Sequence, residues 1–194
     1  MSTVITHAVV SVDGFIADKN DEVGPLFDWY FNGDVPIGNS SGMKVSQASG
    51  EYVNTMWASI GVVVMGRHMF DITNGWEASP PAGDHVVVVS HRPRPADWHP
   101  EASHYHFADN VAAGIARARE LAGDRVVAVC AGDVAGQALA LGLVDEVAMD
   151  VVPVVFGSGK RYFGPVDGQH LLEDPDPVIP GDRVLHLRYR VRRG

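Results

Sequence analysis

Short runs of β-branched residues alternate in this chain with segments of helical spacing, and this alternation most constrains the fold. Runs rich in Val and Ile predict strands at 3–10, 62–65, 85–89, 104–107, 125–130 and 146–152. Helices are predicted at 47–59, 68–72 and 132–141, and from a cap at Asp109 to a stop at Gly123. Strands separated by helices pair in parallel, with helices on both faces of the sheet. The predicted fold is therefore α/β, with three αβα layers around a mostly parallel mixed sheet.

The C-terminal segment 183–192 alternates with a period of two, which predicts a last strand. One face carries Leu185, Leu187, Tyr189 and Val191; the other carries His186, Arg188, Arg190 and Arg192. Because no helix is predicted before this strand, we expect an antiparallel C-terminal edge. Its arginine face is expected to be solvated and to resist edge pairing, with an anion site as the alternative. Residues 18–46 have little periodicity and are expected to form a functional or mobile loop.

Length and charge exclude several classes of protein. The 194 residues predict a single domain over 1–194. With 15 Lys and Arg against 24 Asp and Glu, the net charge of −9 disfavours nucleic acid and anionic membranes as partners. We see no targeting segment and no apolar run long enough to span a membrane, so we expect a cytoplasmic protein. The single cysteine, Cys130, excludes an intramolecular disulfide, and we expect it to be a small buried hydrophobic residue.

Several familiar motifs fail. Residues 157–160 resemble a phosphate-binding loop, but the rest of that pattern is missing. Gly38-x-Ser40-x-Gly42 matches the hydrolase nucleophile string without the strand that should precede it. His104 and His106 would point the same way on a strand, but no third ligand has a suitable spacing. We predict no metal site.

Polar and glycine-containing segments follow four of the predicted strands, at 11–14, 66–68, 90–92 and 131–137. Ligands of open α/β sheets bind beyond the carboxyl ends of the strands, and helix N-termini there favour anions. Arg67 and Arg92 are suited to bidentate contact with a phosphate. The four segments together predict a phosphorylated cofactor or substrate. The alternative is that each glycine serves a turn and each arginine is merely solvated.

Four longer motifs in order carry a resemblance to a known family. They are SVDGFIA at 11–17, VMGRHMF at 64–70, LALGLVDE at 139–146, and PVVFGSG at 153–159 followed by Tyr162-Phe163. With these, the chain resembles the dihydrofolate reductase-like superfamily. It is most similar to stand-alone relatives of the reductase domain of the riboflavin-biosynthesis deaminase–reductase. The deaminase motifs H-x-E and P-C-x-x-C are absent, so the two-step activity of the bifunctional enzyme is not expected.

The resemblance implies NADPH as cofactor, a small C=N or C=O substrate, and a homodimer. For the adenosine phosphate end of NADPH it implies Gly66, Arg67, His68, Ser90, His91 and Arg92. For the diphosphate it implies Gly132, Asp133, Val134, Ala135 and Gly136. Near the nicotinamide it implies the loop with Asp13, Gly14, Ile16 and Ala17. Two positions depart from the family pattern: Ala131 replaces the first of two glycines, and Gly136 replaces a larger residue.

Reduction of an imine or carbonyl also needs a proton donor. Asp13 is the first candidate and Glu51 the second, although an Asp before Gly is equally typical of a turn. Trp29, Tyr30, Tyr52 and Trp57 are predicted to line an apolar substrate pocket, with packing in the core as the alternative. The functional hypotheses are an NADPH-dependent reductase of a pyrimidine- or pterin-like substrate, and a non-catalytic nucleotide- or ligand-binding protein with the same fold.

Overall fold

A computed structural model describes residues 2–38 and 42–193 of the chain. Its strands are β1 (Val4–Ser11), β2 (Phe15–Ala17), β3 (Val35–Pro36), β4 (Lys44–Val45), β5 (Ile60–Gly66), β6 (His85–Val89), β7 (Tyr105–Ala108), β8 (Val126–Cys130), β9 (Glu146–Val152), β10 (Lys160–Arg161), β11 (Val178–Pro180) and β12 (Leu185–Arg190). Its α-helices are α1 (Gln47–Ser59), α2 (Arg67–Ile72), α3 (Val111–Ala122) and α4 (Asp133–Ala140), and 3-10 segments cover Gly24–Phe31 and Asn74–Ala78.

The main sheet has the strand order β11-β12-β9-β1-β8-β5-β6-β7. All pairings from β9 to β7 are parallel, whereas β12 pairs antiparallel with both β9 and β11. This confirms the α/β fold with a mostly parallel sheet and an antiparallel C-terminal edge. β2 pairs with β10, and β3 with β4, in two small separate sheets.

Helices cover both faces of the sheet. On one face, α3 and α4 bury apolar residues at helical spacing against β1, β5, β6 and β8, as Val111, Ile115 and Ala118 illustrate. On the other face, Ser46 caps the N-terminus of α1, and its hydroxyl accepts a hydrogen bond from the N–H of Ser49. Beside α1, the two 3-10 segments and α2 complete this layer.

Two details of the prediction are wrong. The cap of α3 is Asn110 and not Asp109, since the Asn110 side chain accepts from the N–H of Ala113. The last strand is not an open edge, because β11 pairs with it on the side away from β9. Nor is its polar face simply solvated: His186 is fully buried, and the Arg188 guanidinium pairs with Glu146 and lies over the ring of Tyr52.

The described part of segment 18–46 contains more regular structure than predicted, because the 3-10 segment Gly24–Phe31 buries Leu26 and Trp29 in the core. Ser40 of the hydrolase-like string lies outside the described residues. Within the described ranges, no helix is both long and apolar enough to cross a membrane.

Candidate functional site

A cleft of about 630 Å³ opens at the carboxyl ends of β5, β6 and β8. This is the edge at which open α/β sheets bind ligands. Gly66 at the end of β5 and the turn residues Ser90 and Ala131 after β6 and β8 line the cleft, and β2 supplies Ile16 and Ala17. Residues brought together from four separate parts of the chain therefore form one site.

Most of the predicted cofactor residues line this cleft. They are Ile16, Ala17, Gly66, Arg67, His68, Ser90, His91, Arg92, Gly132, Asp133 and Val134. Gly14, Ala135 and Gly136 are not among the lining residues. Ala135 belongs to α4 and is fully buried in the core, and Gly136 packs beside Gly164. The carbonyl of Gly14 accepts a hydrogen bond from the N–H of Tyr162.

One end of the cleft holds two guanidinium groups that share a carboxylate. Arg67 Nε donates to Asp71 Oδ1 at 2.6 Å, and Arg92 Nη2 donates to Asp71 Oδ2 at 2.6 Å. Burial alone would raise the pKa of Asp71, but hydrogen bonds and charge from the two arginines outweigh it and lower that pKa. Two cations beside one anion leave this end with a positive charge. Arg67 also donates to the carbonyl of Pro93 at 3.0 Å, which fixes its orientation.

The middle of the cleft meets the N-terminus of α4. The first turn of an α-helix leaves backbone N–H groups without partners inside the helix, and these attract anions. Gly132, the cap residue, has φ 99° and ψ −151°, a backbone conformation that is almost restricted to glycine. Ala131 is not among the residues with positive φ, so its departure from the family pattern introduces no backbone strain. Asp133, an acidic residue in the first turn of α4, also lines the cleft, and its carboxylate lies beside Gly164.

A cluster of opposite charges lies on another part of the cleft wall. His68 Nε2 is 2.9 Å from Asp21 Oδ1, and Lys160 Nζ is 3.6 Å from the same oxygen. The hydrogen bond from His68 is the largest of the contacts that lower the pKa of Asp21. Arg161, beside Lys160 on β10, adds another cation. Together with the arginine pair and the uncapped helix, these donors fit the phosphate groups of a dinucleotide.

Asp13, the first candidate for the proton donor, has an anchoring role instead. Its carboxylate accepts from the Ser11 hydroxyl at 2.6 Å and from the N–H groups of Phe156 and Gly157 at 3.1 and 2.7 Å. The Ser11 contact is the main reason that its pKa is lowered. An ionised carboxylate at neutral pH holds no proton to donate. The structure therefore favours the turn-forming interpretation of Asp13.

The remaining predicted catalytic and substrate residues are also placed away from the cleft lining. Glu51 is exposed on α1 and accepts a hydrogen bond from Gln47 at 2.7 Å. Trp29, Tyr30 and Tyr52 are buried together in the core, and Trp29 stacks on Tyr30 with ring centroids 4.1 Å apart. The structure thus places these three side chains in the core, which is the alternative to the predicted pocket walls. Trp57 is half-buried and packs at the rim of a neighbouring core cluster.

Sequence reasoning missed several lining residues: Asp21, Val23, Met69, Ile72, Val89, Asp109, Asn110, Gln137, Lys160, Arg161 and Gly164. Lys160 and Arg161 follow the Gly-Ser-Gly segment, which resembles a phosphate loop and belongs to the family motif at 153–159, but neither pattern includes the two cations. Their approach to the cleft depends on the pairing of β10 with β2, which no local pattern reveals.

The histidines and the cysteine form no metal centre among the described residues, where no group of three or more potential ligands is suitably arranged. His104 Nε2 contacts the carbonyl oxygen of Ala78 at 3.0 Å, and His106 lies beside His85. Burial raises the pKa of the Cys130 thiol to about 12, which makes it a poor nucleophile.

Solved structures that are similar to this chain include proteins named for riboflavin biosynthesis. A protein from Shewanella sp. PV-4 assigned to that process shares 22 % identity with a TM-score of 0.70, covering 98 % of this chain and 99 % of its own. A diaminohydroxyphosphoribosylaminopyrimidine deaminase/5-amino-6-(5-phosphoribosylamino)uracil reductase from Thermotoga maritima shares 14 % identity with a TM-score of 0.64. The match covers 98 % of this chain but only 57 % of the Thermotoga protein.

Acinetobacter baumannii RibD is similar in the same way, with 17 % identity, a TM-score of 0.62, and coverage of all of this chain and 59 % of the RibD chain. At these identities the likeness establishes the fold. None of the curated proteins compared with the chain matches it. The family model for the RibD C-terminal domain matches residues 2–176, which is nearly the whole chain. The chain therefore belongs to the RibD C-terminal domain family, whose members have a dihydrofolate reductase-like fold.

Proposed function

We propose that this protein is an NADPH-dependent reductase of a small heterocyclic, carbonyl or imine substrate, of pyrimidine or pterin type. The observation that carries the proposal is the cleft at the carboxyl edge of the sheet, where an arginine pair and an uncapped helix N-terminus occur together. Membership of the RibD C-terminal domain family supports a reductase-like function in riboflavin biosynthesis.

In this proposal each part of the cleft has a separate task. Arg67 and Arg92 bind the phosphate at the adenosine end, since guanidinium groups offer paired donors to phosphate oxygens. The N–H groups at the start of α4 bind the diphosphate. Ile16 and Ala17 lie against the nicotinamide and exclude water from it. The reduced nicotinamide, when bound, supplies a hydride; the protein supplies orientation and a proton.

The alternative is a ligand-binding protein that retains the cleft without turnover. Asp133 favours this candidate, because its carboxylate lies at the helix N-terminus where a diphosphate would bind. Like charges at that point weaken binding of the cofactor. Binding and turnover must therefore be measured separately.

The test is a fluorescence titration of the protein with NADPH and with NADH, followed by an assay of NADPH oxidation with pyrimidine, pterin and quinone compounds. We expect saturable binding of NADPH, weaker binding of NADH, and oxidation with at least one compound. Binding without oxidation across the set would favour the alternative. Absence of saturable binding of either nucleotide would refute the reductase function, and it would leave the alternative only as a protein that binds a ligand other than NADPH or NADH.

A further inference from the structure

A chain of four hydrogen-bonded polar side chains crosses the α1 face of the sheet. Ser49 Oγ lies 2.9 Å from His186 Nε2, His186 Nδ1 lies 2.6 Å from Asp150 Oδ1, and His7 Nε2 lies 2.8 Å from Asp150 Oδ2. The side chains of His186 and Asp150 are 0 % and 1 % exposed, whereas that of His7 is 16 % exposed. Among these residues, His7 is the member that reaches solvent.

The carboxylate in the middle of this chain is ionised. Burial alone would raise the pKa of Asp150, but the charge of His7 and the hydrogen bonds from both imidazoles outweigh it and lower the pKa to about 2. A buried carboxylate requires a compensating positive charge nearby. The inner imidazole, His186, is closed off from solvent by Ser49, which in turn accepts from the Ser46 hydroxyl at 3.2 Å. His7, at the outer end of the chain, is therefore the partner of Asp150 that can exchange protons with solvent.

The position of His7 in the sheet connects it with the cleft. His7 is paired with Cys130, the last residue of β8, and the next two residues, Ala131 and Gly132, line the cleft. Beyond His7, β1 keeps its pairing with β9 only, because the chain of β8 turns away into α4. His7 therefore lies where β1 and β8 separate, and the gap between the two strands beyond His7 is called the notch here. Its Nδ1 has no hydrogen-bond partner among residues 2–38 and 42–193.

We propose that His7 is the proton donor for the reduction, with Asp150 as its positioning residue, an inference that rests on the proposed function. Asp13 is ionised and anchored, and Glu51 is exposed on α1, where it accepts a hydrogen bond from Gln47. His7 is not itself a lining residue of the cleft; it adjoins the cleft through its pairing with Cys130, the residue before Ala131. Hydride from the reduced nicotinamide forms a C–H bond at the C=N or C=O carbon while the π bond breaks. The His7 N–H proton passes to the substrate nitrogen or oxygen. Oxidised nicotinamide, reduced substrate and neutral His7 result, and His7 regains a proton from water.

The buried phenols and the thiol around this chain hold no charge near neutral pH. Burial raises the pKa values of Tyr30 and Tyr52, which face Asp150 from the 3-10 segment and from α1. Burial likewise raises the pKa of Tyr162 on the opposite face and that of the Cys130 thiol beside His7. Arg188 is the nearby permanent cation, and it is paired with Glu146. Among the described residues, Asp150 is therefore the charged group in direct contact with His7.

The first test observes His7 directly by NMR, with NADP⁺ as an unreactive probe. The His7→Gln variant identifies the His7 ring signal among the nine histidines. We expect NADP⁺ to shift this signal, and to leave unchanged the signal of His104, which precedes β7 at the opposite end of the sheet. If calorimetry shows that NADP⁺ binds and the His7 signal does not move, the assignment of His7 is overturned. If NADP⁺ does not bind, the proposed function fails and this inference fails with it.

The second test uses turnover with a compound that the wild type reduces. Loss of a general acid typically costs 10²–10⁴-fold, so His7→Gln should lower kcat at least about 100-fold with unchanged NADPH affinity, whereas His104→Gln should have wild-type kcat. Wild-type kcat should fall as pH rises, because His7 must hold a proton to donate it.

Asp150→Asn keeps the size of the side chain and removes its charge. This variant provides a second test of the proposal, which is available even if His7→Gln does not fold. The fall of kcat should then begin at lower pH, because the protonated imidazole has lost its carboxylate. A His7→Gln variant with wild-type kcat, or an Asp150→Asn variant with an unchanged pH profile, would contradict the proposal.

Discussion

At the scale of single residues, the two arginines of the cleft differ in how firmly they are held. Arg67 is 16 % exposed and is bound by Asp71 and by the carbonyl of Pro93, so its guanidinium is oriented before any ligand arrives. Arg92 is 64 % exposed and is held by Asp71 through a single ion pair. A fixed donor lowers the entropic cost of binding, whereas an exposed one adapts to the ligand. Under the proposed function, we therefore expect Arg67 and Arg92 together to discriminate a phosphate from a hydroxyl.

This arrangement predicts how nucleotide preference responds to substitution. Arg67→Ala and Arg92→Ala should each weaken NADPH binding by about 10-fold or more, since a hydrogen bond to a charged group is worth roughly 1.5–3 kcal/mol. NADH affinity should change little, because NADH lacks the phosphate. The measurement is a fluorescence titration with both nucleotides. Arg117→Ala is the control, since Arg117 pairs with Glu120 on the outer surface of α3. An unchanged preference in both cleft variants would refute the phosphate assignment.

At the scale of elements, the turn from β8 into α4 determines the shape of the cleft. Gly132 combines a positive φ with hydrogen bonds on both sides: its N–H donates to Tyr162, and its carbonyl accepts from Gly136 and Gly164. The turn is thereby joined to the segment after β10. The first N–H groups of α4 consequently have a defined direction, which a flexible turn would not provide.

The turn predicts opposite outcomes for two neighbouring substitutions. Gly132→Ala should destabilise the protein by about 1–3 kcal/mol and weaken NADPH binding, because alanine is strained in this conformation. Ala131→Gly, which restores the family's two glycines, should leave NADPH affinity unchanged, since Ala131 needs no positive φ. Thermal unfolding and NADPH titration of both variants provide the measurement. A tolerant Gly132→Ala, or a clear gain in affinity from Ala131→Gly, would show that the turn works differently.

At the scale of the whole molecule, alternation of apolar runs with helical segments is sufficient to predict the parallel sheet, because each βαβ connection restricts the pairing. The outer partner of β12 is β11, and it could not be predicted because β11 lies in a Pro- and Asp-rich segment without alternation. Similarly, alternation assigns His186 to a polar face, whereas its burial depends on Asp150 and Ser49 from distant parts of the chain.

The candidate site was predictable to the extent that it is built from strand ends. Gly66, Ser90 and Gly132 follow strands of one parallel sheet, and such ends must meet at one edge. Aromatic residues at helical spacing carry no such information, because Trp29 and Tyr52 have the same pattern in a core as in a pocket wall. Sequence patterns do not single out His7, the proposed proton donor, because it lies inside a strand. Its exposure depends on where the neighbouring strand β8 ends.

The central claim is that the cleft of this acidic protein binds NADPH in one orientation, and a crystal structure of the complex with NADP⁺ tests it most directly. The predicted result places the adenosine phosphate on Arg67 or Arg92, the diphosphate at the start of α4, and the nicotinamide towards Ile16 and the notch beside His7. A dinucleotide bound in the reverse direction, or outside this cleft, would contradict the account.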